Sequence, residues 1–162
     1  MIRSDYENYF DPYTQGVIRN HGLDEATLNF LKNHHKILDA GSGAGVLALK
    51  LKELGKDVTC IDIFSKNVEY MKSKGLNALK GNICNLPFKD KEFDCVVCQE
   101  VLEHLINPGE GLKELCRIGK NVVFTLPKMF PEEWHFWDID YVPSVSNANC
   151  IIIKLIDKEA NK

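Results

Sequence analysis

Asp39 closes a short apolar run, Ile37-Leu38-Asp39-Ala40. Three glycines follow at alternate positions, Gly41, Gly43 and Gly45, with Ser42 among them and a helix start at Val46. Glycines there let the backbone turn tightly and approach a ligand, because no Cβ intervenes. The helix beyond offers free N–H groups at its N-terminus. Together they make a nucleotide-cofactor cradle, and its charge bears on which cofactor. A dinucleotide site has the spacing G-x-G-x-x-G and aims a helix at a pyrophosphate. Here the spacing is G-x-G-x-G, and an acid stands beside the phosphate position. That carboxylate would repel a pyrophosphate and attract a cation, such as an amino acid's ammonium group. A tight strand–helix turn with no ligand is the plainer alternative.

Further groups stand downstream. Asp62 ends a second apolar run nineteen positions after Gly43. An acid at the carboxyl edge of a sheet can accept hydrogen bonds from both hydroxyls of a ribose; a helix-capping turn acid is the alternative. Glu100, Glu103 and His104 stand at i, i+3 and i+4, which on a helix is one face. With His135 from Glu132-Glu133-Trp134-His135-Phe136-Trp137 they are candidate ligands for a divalent cation that orients substrate oxygens. Glu103, His104 and His135 are likewise the candidate catalytic residues. Against this, Glu100 could serve the cofactor pocket or a helix start, and His104 could be a packed or substrate-facing ring. Cys95 and Cys98 form a C-x-x-C, but inside an apolar run that reads as a strand. Residues three apart on a strand face opposite ways, so they are read as buried apolar side chains.

The elements that must position these groups alternate. The pattern gives a helix at Glu25–Asn33 capped by Asp24, then a strand at Lys36–Ala40. A helix at Val46–Leu54 follows, burying Val46, Leu47, Leu49, Leu51 and Leu54 and ended by Gly55. Next come a strand at Asp57–Asp62, a helix capped by Ser65, running to Lys74 and closed by Gly75, and a strand at Asn77–Lys80. The fourth strand is Phe93–Cys98. A helix then starts at Glu100–Leu105, breaks near Pro108 and resumes to Arg117. The fifth strand is Asn121–Leu126, and a last one Cys150–Ile156. Strands separated by helices imply right-handed crossovers and a parallel sheet.

With 162 residues, 44% hydrophobic and 27% charged, the chain suits one soluble domain. A net charge of −3 gives no electrostatic reason to expect nucleic acid. No apolar run is long enough for a membrane span, and Met1–Tyr6 lacks the order of a secretory signal. Six cysteines without framework spacing suit a reducing compartment, so a cytoplasmic location is expected.

The turn at Asp39–Gly45 resembles motif I of the class I S-adenosylmethionine-dependent methyltransferases, of the type 11-like kind. Their cofactor carries an ammonium and a sulfonium but no phosphate. The segment Gly81-Asn82-Ile83-Cys84-Asn85-Leu86-Pro87-Phe88, followed by Phe93-Asp94, resembles the family's G-D-x-x-x-L-P-F … F-D, with Asn82 where the family has an acid. Gln99-Glu100-Val101-Leu102-Glu103-His104-Leu105 is similar to the E-V-L-E-H after the family's fourth strand, and Val122–Pro127 to its fifth strand. The resemblance covers residues 37–127.

The resemblance implies an α/β fold, a Rossmann-like three-layer sandwich with a mostly parallel sheet. The family's C-terminal hairpin is expected to be shortened here. It implies S-adenosylmethionine as cofactor, bound by Asp39, Gly41, Ser42, Gly43, Gly45, Asp62, Ile63, Asn82, Ile83 and Gln99. Asn82 and the Ile83 N–H would meet the adenine edge, Ile63 or Phe64 its face, and Gln99 the methionine part. The metal set Glu100, Glu103, His104 and His135 is similar to that of small-RNA 2′-hydroxyl and ubiquinone-pathway O-methyltransferases; relatives with E-V-L-E-H and no metal leave the point open.

One domain over 1–162 is expected, with an N-terminal lid at 1–35, a cofactor-binding core at 36–127 and a short substrate-side segment at 128–162. The tyrosine-rich Tyr6–Tyr13 is similar to the lid segment of relatives. Trp134, Phe136, Trp137 and Tyr141 would line an open C-terminal side, or meet a second copy or a partner subunit there; simple packing over the last strand is the plainer alternative. The expected activity is transfer of a methyl group to an O, N or C nucleophile on a small or macromolecular acceptor. The alternatives are a non-catalytic S-adenosylmethionine-binding subunit and, less favoured, an NAD-dependent oxidoreductase.

Overall fold

The computed structural model describes residues 25–125 and 149–152. A single sheet runs through them in the order β3-β2-β1-β4-β5-β6. The strands are β1 Lys36–Ala40, β2 Asp57–Asp62, β3 Asn77–Lys80, β4 Phe93–Gln99, β5 Gly119–Thr125 and β6 Asn149–Ile152. Every pairing is parallel, with registers such as Leu38 to Thr59 and Leu38 to Val96. The helices are α1 Glu25–Leu31, α2 Val46–Glu53, α3 Ser65–Ser73 and α4 Pro108–Ile118. The expected Rossmann-like α/β architecture is therefore present. The expected last strand is found at β6, pairing parallel to β5; residues 153–156 lie outside the described residues.

Period-two alternation sorts the strand side chains to two apolar layers. Ile37, Val58, Cys60, Cys95, Val97 and Val123 face α2 and α3, meeting Leu47, Leu51, Val68 and Met71. Leu38, Ile61, Val96, Cys98, Val122 and Phe124 face α4, meeting Leu112, Leu115 and Ile118. Cys95 and Cys98 are buried, free and on opposite layers, as strand geometry requires. Burial pushes the Cys95 thiol up to about 12.

α2 ends with Gly55 N–H on Lys52 O at 2.9 Å and Lys56 N–H on Leu51 O at 3.1 Å, a Schellman closure repeated at Gly75 and Leu76. Four expectations need correction. Leu54, placed in the core by its apolar spacing, is 50% exposed, because it lies past the last turn where no element covers it. Val46 and Leu49 are only half-buried. Ser65 is the first helical residue of α3, with Phe64 at the cap position. Pro108 starts α4 rather than breaking a helix, and Asn107 Oδ1 accepts from Glu110 N–H. Asp24 lies outside the described residues.

At the amino edge of the sheet, Asp94 locks three strands. Its carboxylate accepts from the Lys36 N–H at 3.0 Å, the His35 N–H at 3.3 Å and Lys120 Nζ at 2.9 Å. The backbone N–H of Lys36 and the Lys120 ammonium hold its pKa down to about 2.

Candidate functional site

The strand order reverses between β1 and β4, so the crevice of this sheet opens at their carboxyl ends. The turn Gly41–Gly45 leaves β1 there. Its backbone is pinned to β2: Gly41 and Ser42 N–H both donate to Ile61 O, at 2.8 and 3.0 Å. Ser42 Oγ donates to Asp39 O at 2.6 Å. Gly41 (φ 78°) and Gly45 (φ 72°) occupy the left-handed region. A Cβ on Gly41 would lie 2.3 Å from Val101 Cγ2, and one on Gly45 2.6 Å from Leu76 Cδ1. The glycines thus admit two close neighbours, the exit of β4 and the α3–β3 connection. The sequence places Val101 in the E-V-L-E-H segment, but its packing on the glycine turn is not marked there.

Asp62 is the hub of the crevice. Its Oδ2 accepts from Gly43 N–H and its Oδ1 from Phe64 N–H, both at 2.8 Å, while its carbonyl accepts from Gly81 N–H at 3.0 Å. One residue therefore fixes the glycine turn, the β2–α3 turn and the exit of β3. The bond to the Phe64 N–H closes the turn before α3 and is not a helix cap, since no side chain caps α3. Asp39 is 4% exposed, and among the described residues its Oδ2 has no hydrogen-bond partner. Burial, and secondarily the nearby Asp62 charge, raise its pKa from 3.8 to about 7.

Past β3, Asn82 Oδ1 accepts from Cys84 N–H at 3.0 Å and Asn82 O from Asn85 N–H at 2.9 Å, closing a small turn. The amide oxygen expected at an adenine edge thus already holds one bond, with one lone pair left. Ile83 is buried against the α4 layer, and Ile63 is half-buried. Gln99 ends β4, half-buried. The predicted cofactor set is gathered at one sheet edge, on the exits of β1, β2, β3 and β4.

Residues 38–122 match a family described as a methyltransferase domain. The chain belongs to this methyltransferase family. It is 33% identical over 113 residues to the ubiquinone biosynthesis O-methyltransferase of Rickettsia bellii, a match covering 60% of this chain and 47% of that protein. The chain thus spans about half the length of the curated relatives it matches. Among solved structures, a SAM-dependent methyltransferase from Aquifex aeolicus superposes with a TM-score of 0.59 at 25% identity, covering 76% of this chain and 77% of that one. A SAM-dependent methyltransferase from Methanosarcina mazei gives 0.52 at 28%, covering 61% and 54%. The family and these neighbours imply S-adenosylmethionine as the cofactor.

In this methyltransferase domain the E-V-L-E-H segment departs from its expected shape. Glu100 has φ 52°, and only Leu102–His104 form a single 3₁₀ turn. The helix expected over Glu100–Leu105 is absent, so Glu100 does not share a helix face with Glu103 and His104. The reason is the close approach of Val101 to Gly41, which drives the chain down onto the glycine turn directly after β4. Glu103 is 6% exposed, and His104 Nε2 lies 3.9 Å from Glu103 Oε1. Among the described residues no group of three His, Cys, Asp or Glu side chains is placed to hold a metal ion. His135, the aromatics Trp134, Phe136, Trp137 and Tyr141, and the tyrosine-rich Tyr6–Tyr13 lie outside the described residues. Among the described residues, too, no helix is long and apolar enough to cross a membrane.

Proposed function

We propose that this chain transfers the methyl group of S-adenosylmethionine directly to a nucleophile on an acceptor, in line with the departing sulfur. The observation that carries the reading is the buried Asp39 oxygen, unpartnered and beside a second carboxylate, in a turn whose glycines allow close approach. A cation relieves such a site, whereas a phosphate adds to its repulsion. In this reading Asp39 holds the ammonium and Asp62 the ribose hydroxyls. Asn82 and the Ile83 N–H meet the adenine edge, Ile63 packs its face, and Gln99 meets the methionine part. The backbone of Gly41, Ser42, Gly43 and Gly45 lies along the ligand. When bound, the cofactor supplies an electrophilic methyl on a sulfonium; the chain's share is alignment and exclusion of water.

His104, with buried Glu103 beside its ring, is the proposed group for taking the acceptor's proton. The name of the Rickettsia relatives favours oxygen as the acceptor atom. Calorimetry with S-adenosylmethionine, S-adenosylhomocysteine and NAD tests the cofactor, and preference for NAD overturns the reading. Transfer of labelled methyl to an oxygen acceptor tests the activity. His104→Gln is expected to lower kcat and leave S-adenosylhomocysteine affinity unchanged; an unchanged kcat removes His104 from the proton step.

A further inference from the structure

We infer that Glu114 and Arg117 of α4 form the positioning element for the loop assigned above to the adenine edge. This inference rests on that cofactor reading. The pair stands at i and i+3, and its first bonds are internal: Arg117 Nε and Nη2 donate to Glu114 Oε2 and Oε1, both at 2.7 Å. The remaining donors leave the helix. Nη2 reaches Leu86 O at 3.2 Å, and Nη1 reaches Phe88 O at 2.9 Å and Asp90 Oδ1 at 2.7 Å. All the guanidinium N–H groups are thereby used. Glu114 Oε1 also accepts from Leu86 N–H at 2.7 Å. The ion pair therefore takes both hydrogen-bonding groups of one loop residue, as a neighbouring strand would. It draws on backbone groups of Leu86 and Phe88, with the Asp90 carboxylate as the one loop side chain given among Arg117's partners.

The same loop has two more fixed points. Gly81 N–H is held by Asp62 O, and Lys91 Nζ donates to Cys116 O at 2.7 Å and Gly119 O at 3.0 Å, at the end of α4. The Asn82–Asn85 turn is suspended between Gly81 and Leu86. A groove of about 220 Å³ opens beside it, between Cys84 and the α4 side chains Glu110, Lys113, Glu114 and Arg117. Within the turn, Ile83 is buried in the α4 layer and gives a further point of contact, while Cys84 borders the groove. The angle at which Asn82 and the Ile83 N–H meet a base thus follows from where Asp62 and the ion pair hold the ends and from the seat of the Ile83 side chain. Lysine at 117 presents a point charge and cannot span these acceptors in one plane.

The test compares S-adenosylhomocysteine with its 6-oxo analogue, S-inosylhomocysteine, by calorimetry on the whole chain. The analogue has a carbonyl oxygen where Asn82 would accept from the amino group, and its N1 carries a proton, so a bond from the Ile83 N–H to that nitrogen is lost as well. The unaltered protein is expected to prefer the adenine ligand by at least about tenfold. Arg117→Gln, Arg117→Lys and Glu114→Gln are each expected to melt cooperatively and to reduce that preference to about twofold or less, with most of the loss on the adenine ligand. The two milder variants carry the test if Arg117→Gln does not fold. Equal weakening of both ligands, with the preference intact, overturns the positioning role. Binding of both ligands equally well by the unaltered protein overturns the role of the loop while leaving the cofactor reading standing. Failure of the unaltered protein to bind either ligand overturns the cofactor reading itself.

Discussion

Asp39→Asn is expected to make the protein more stable and its cofactor binding weaker at the same pH, because the carboxylate acts oppositely in the two equilibria. The folded state raises its pKa from 3.8 to about 7. The unfolded chain holds it near the ordinary value, so the folded state retains a proton that the unfolded chain gives up between these limits. Stability must then fall as pH rises from about 4 to about 7, and level off above. A shift of this size corresponds to on the order of 4 kcal/mol at pH 8. Asparagine removes that burden but brings an amide NH₂ into a site 4% exposed to solvent. Leaving such a donor unmatched costs about 1–3 kcal/mol. The net gain at pH 8 is thus about 1–3 kcal/mol, a rise of roughly 2–12 °C in Tm for a chain of this size.

Below pH 4 the native carboxyl is already neutral, so the variant becomes the less stable of the two. Thermal and urea unfolding from pH 4 to pH 8 should show the two stability curves crossing. Ligand binding moves the other way. Loss of a charge-assisted bond to the ammonium weakens S-adenosylhomocysteine by about 10–100-fold at pH 8. In the unaltered protein affinity falls as pH drops below 7, at a limiting slope of about tenfold per pH unit, since binding must then release one proton. The variant should lose that slope. A variant less stable at pH 8, with affinity and pH profile unchanged, would refute the assignment of Asp39 as a buried charge facing the ligand.

Asp62→Ala removes the acceptors of the Gly43 and Phe64 N–H groups along with the proposed ribose contact. Both melting temperature and S-adenosylhomocysteine affinity should fall, the latter by at least about tenfold, and unchanged affinity would exclude the ribose role. Gly41→Ala forces a Cβ to 2.3 Å from Val101 Cγ2 at φ 78°. It should cost about 1–3 kcal/mol by chemical denaturation, with part of the loss recovered in the double variant carrying Val101→Ala. Asp94, held at about 2, contributes stability above the usual carboxylate pKa that is lost as pH falls from 4 towards 2. Asp94→Asn should therefore be less stable at neutral pH, with a flatter acid limb in pH-dependent unfolding.

The strands were legible because their signals are local. β1, β2 and β4 carry apolar runs bounded by charged or glycine-containing turns, and the opposite burial of Cys95 and Cys98 follows from the two-residue period alone. The segment after β4 was not, because its shape is decided sixty residues upstream. Glu100, Glu103 and His104 carry the spacing of a helix face, yet the missing side chain at Gly41 lets Val101 settle on the turn, and Glu100 stands at positive φ. Leu54 misled in the same way, since burial depends on what lies opposite. Glu114 and Arg117 look in sequence like any surface pair three apart on a helix. Only the distance to Leu86 O and Phe88 O distinguishes them. Asp62 was found by its position at a strand end, while its part in joining the turns rests on bonds to Gly43 and Gly81 that no local pattern predicts.

A doubly wound sheet offers the same crevice to a pyrophosphate and to an adenosyl cation, so selection between them must come from charge at the turn. α2 begins at Gly45 with no side-chain cap, leaving its first N–H groups available in a way that by itself suits an anion. Asp39 and Asp62 reverse that preference, since two carboxylates at the same edge repel a dianion and each other. Their mutual repulsion and the burial of Asp39 are a standing cost to the fold. An ammonium at Asp39 returns part of that energy on binding, and a phosphate cannot. On the proposed reading, the cost of the buried carboxylate and the expected preference for an adenosyl cation over NAD have one electrostatic origin, and a change that relieves the first should also relax the second.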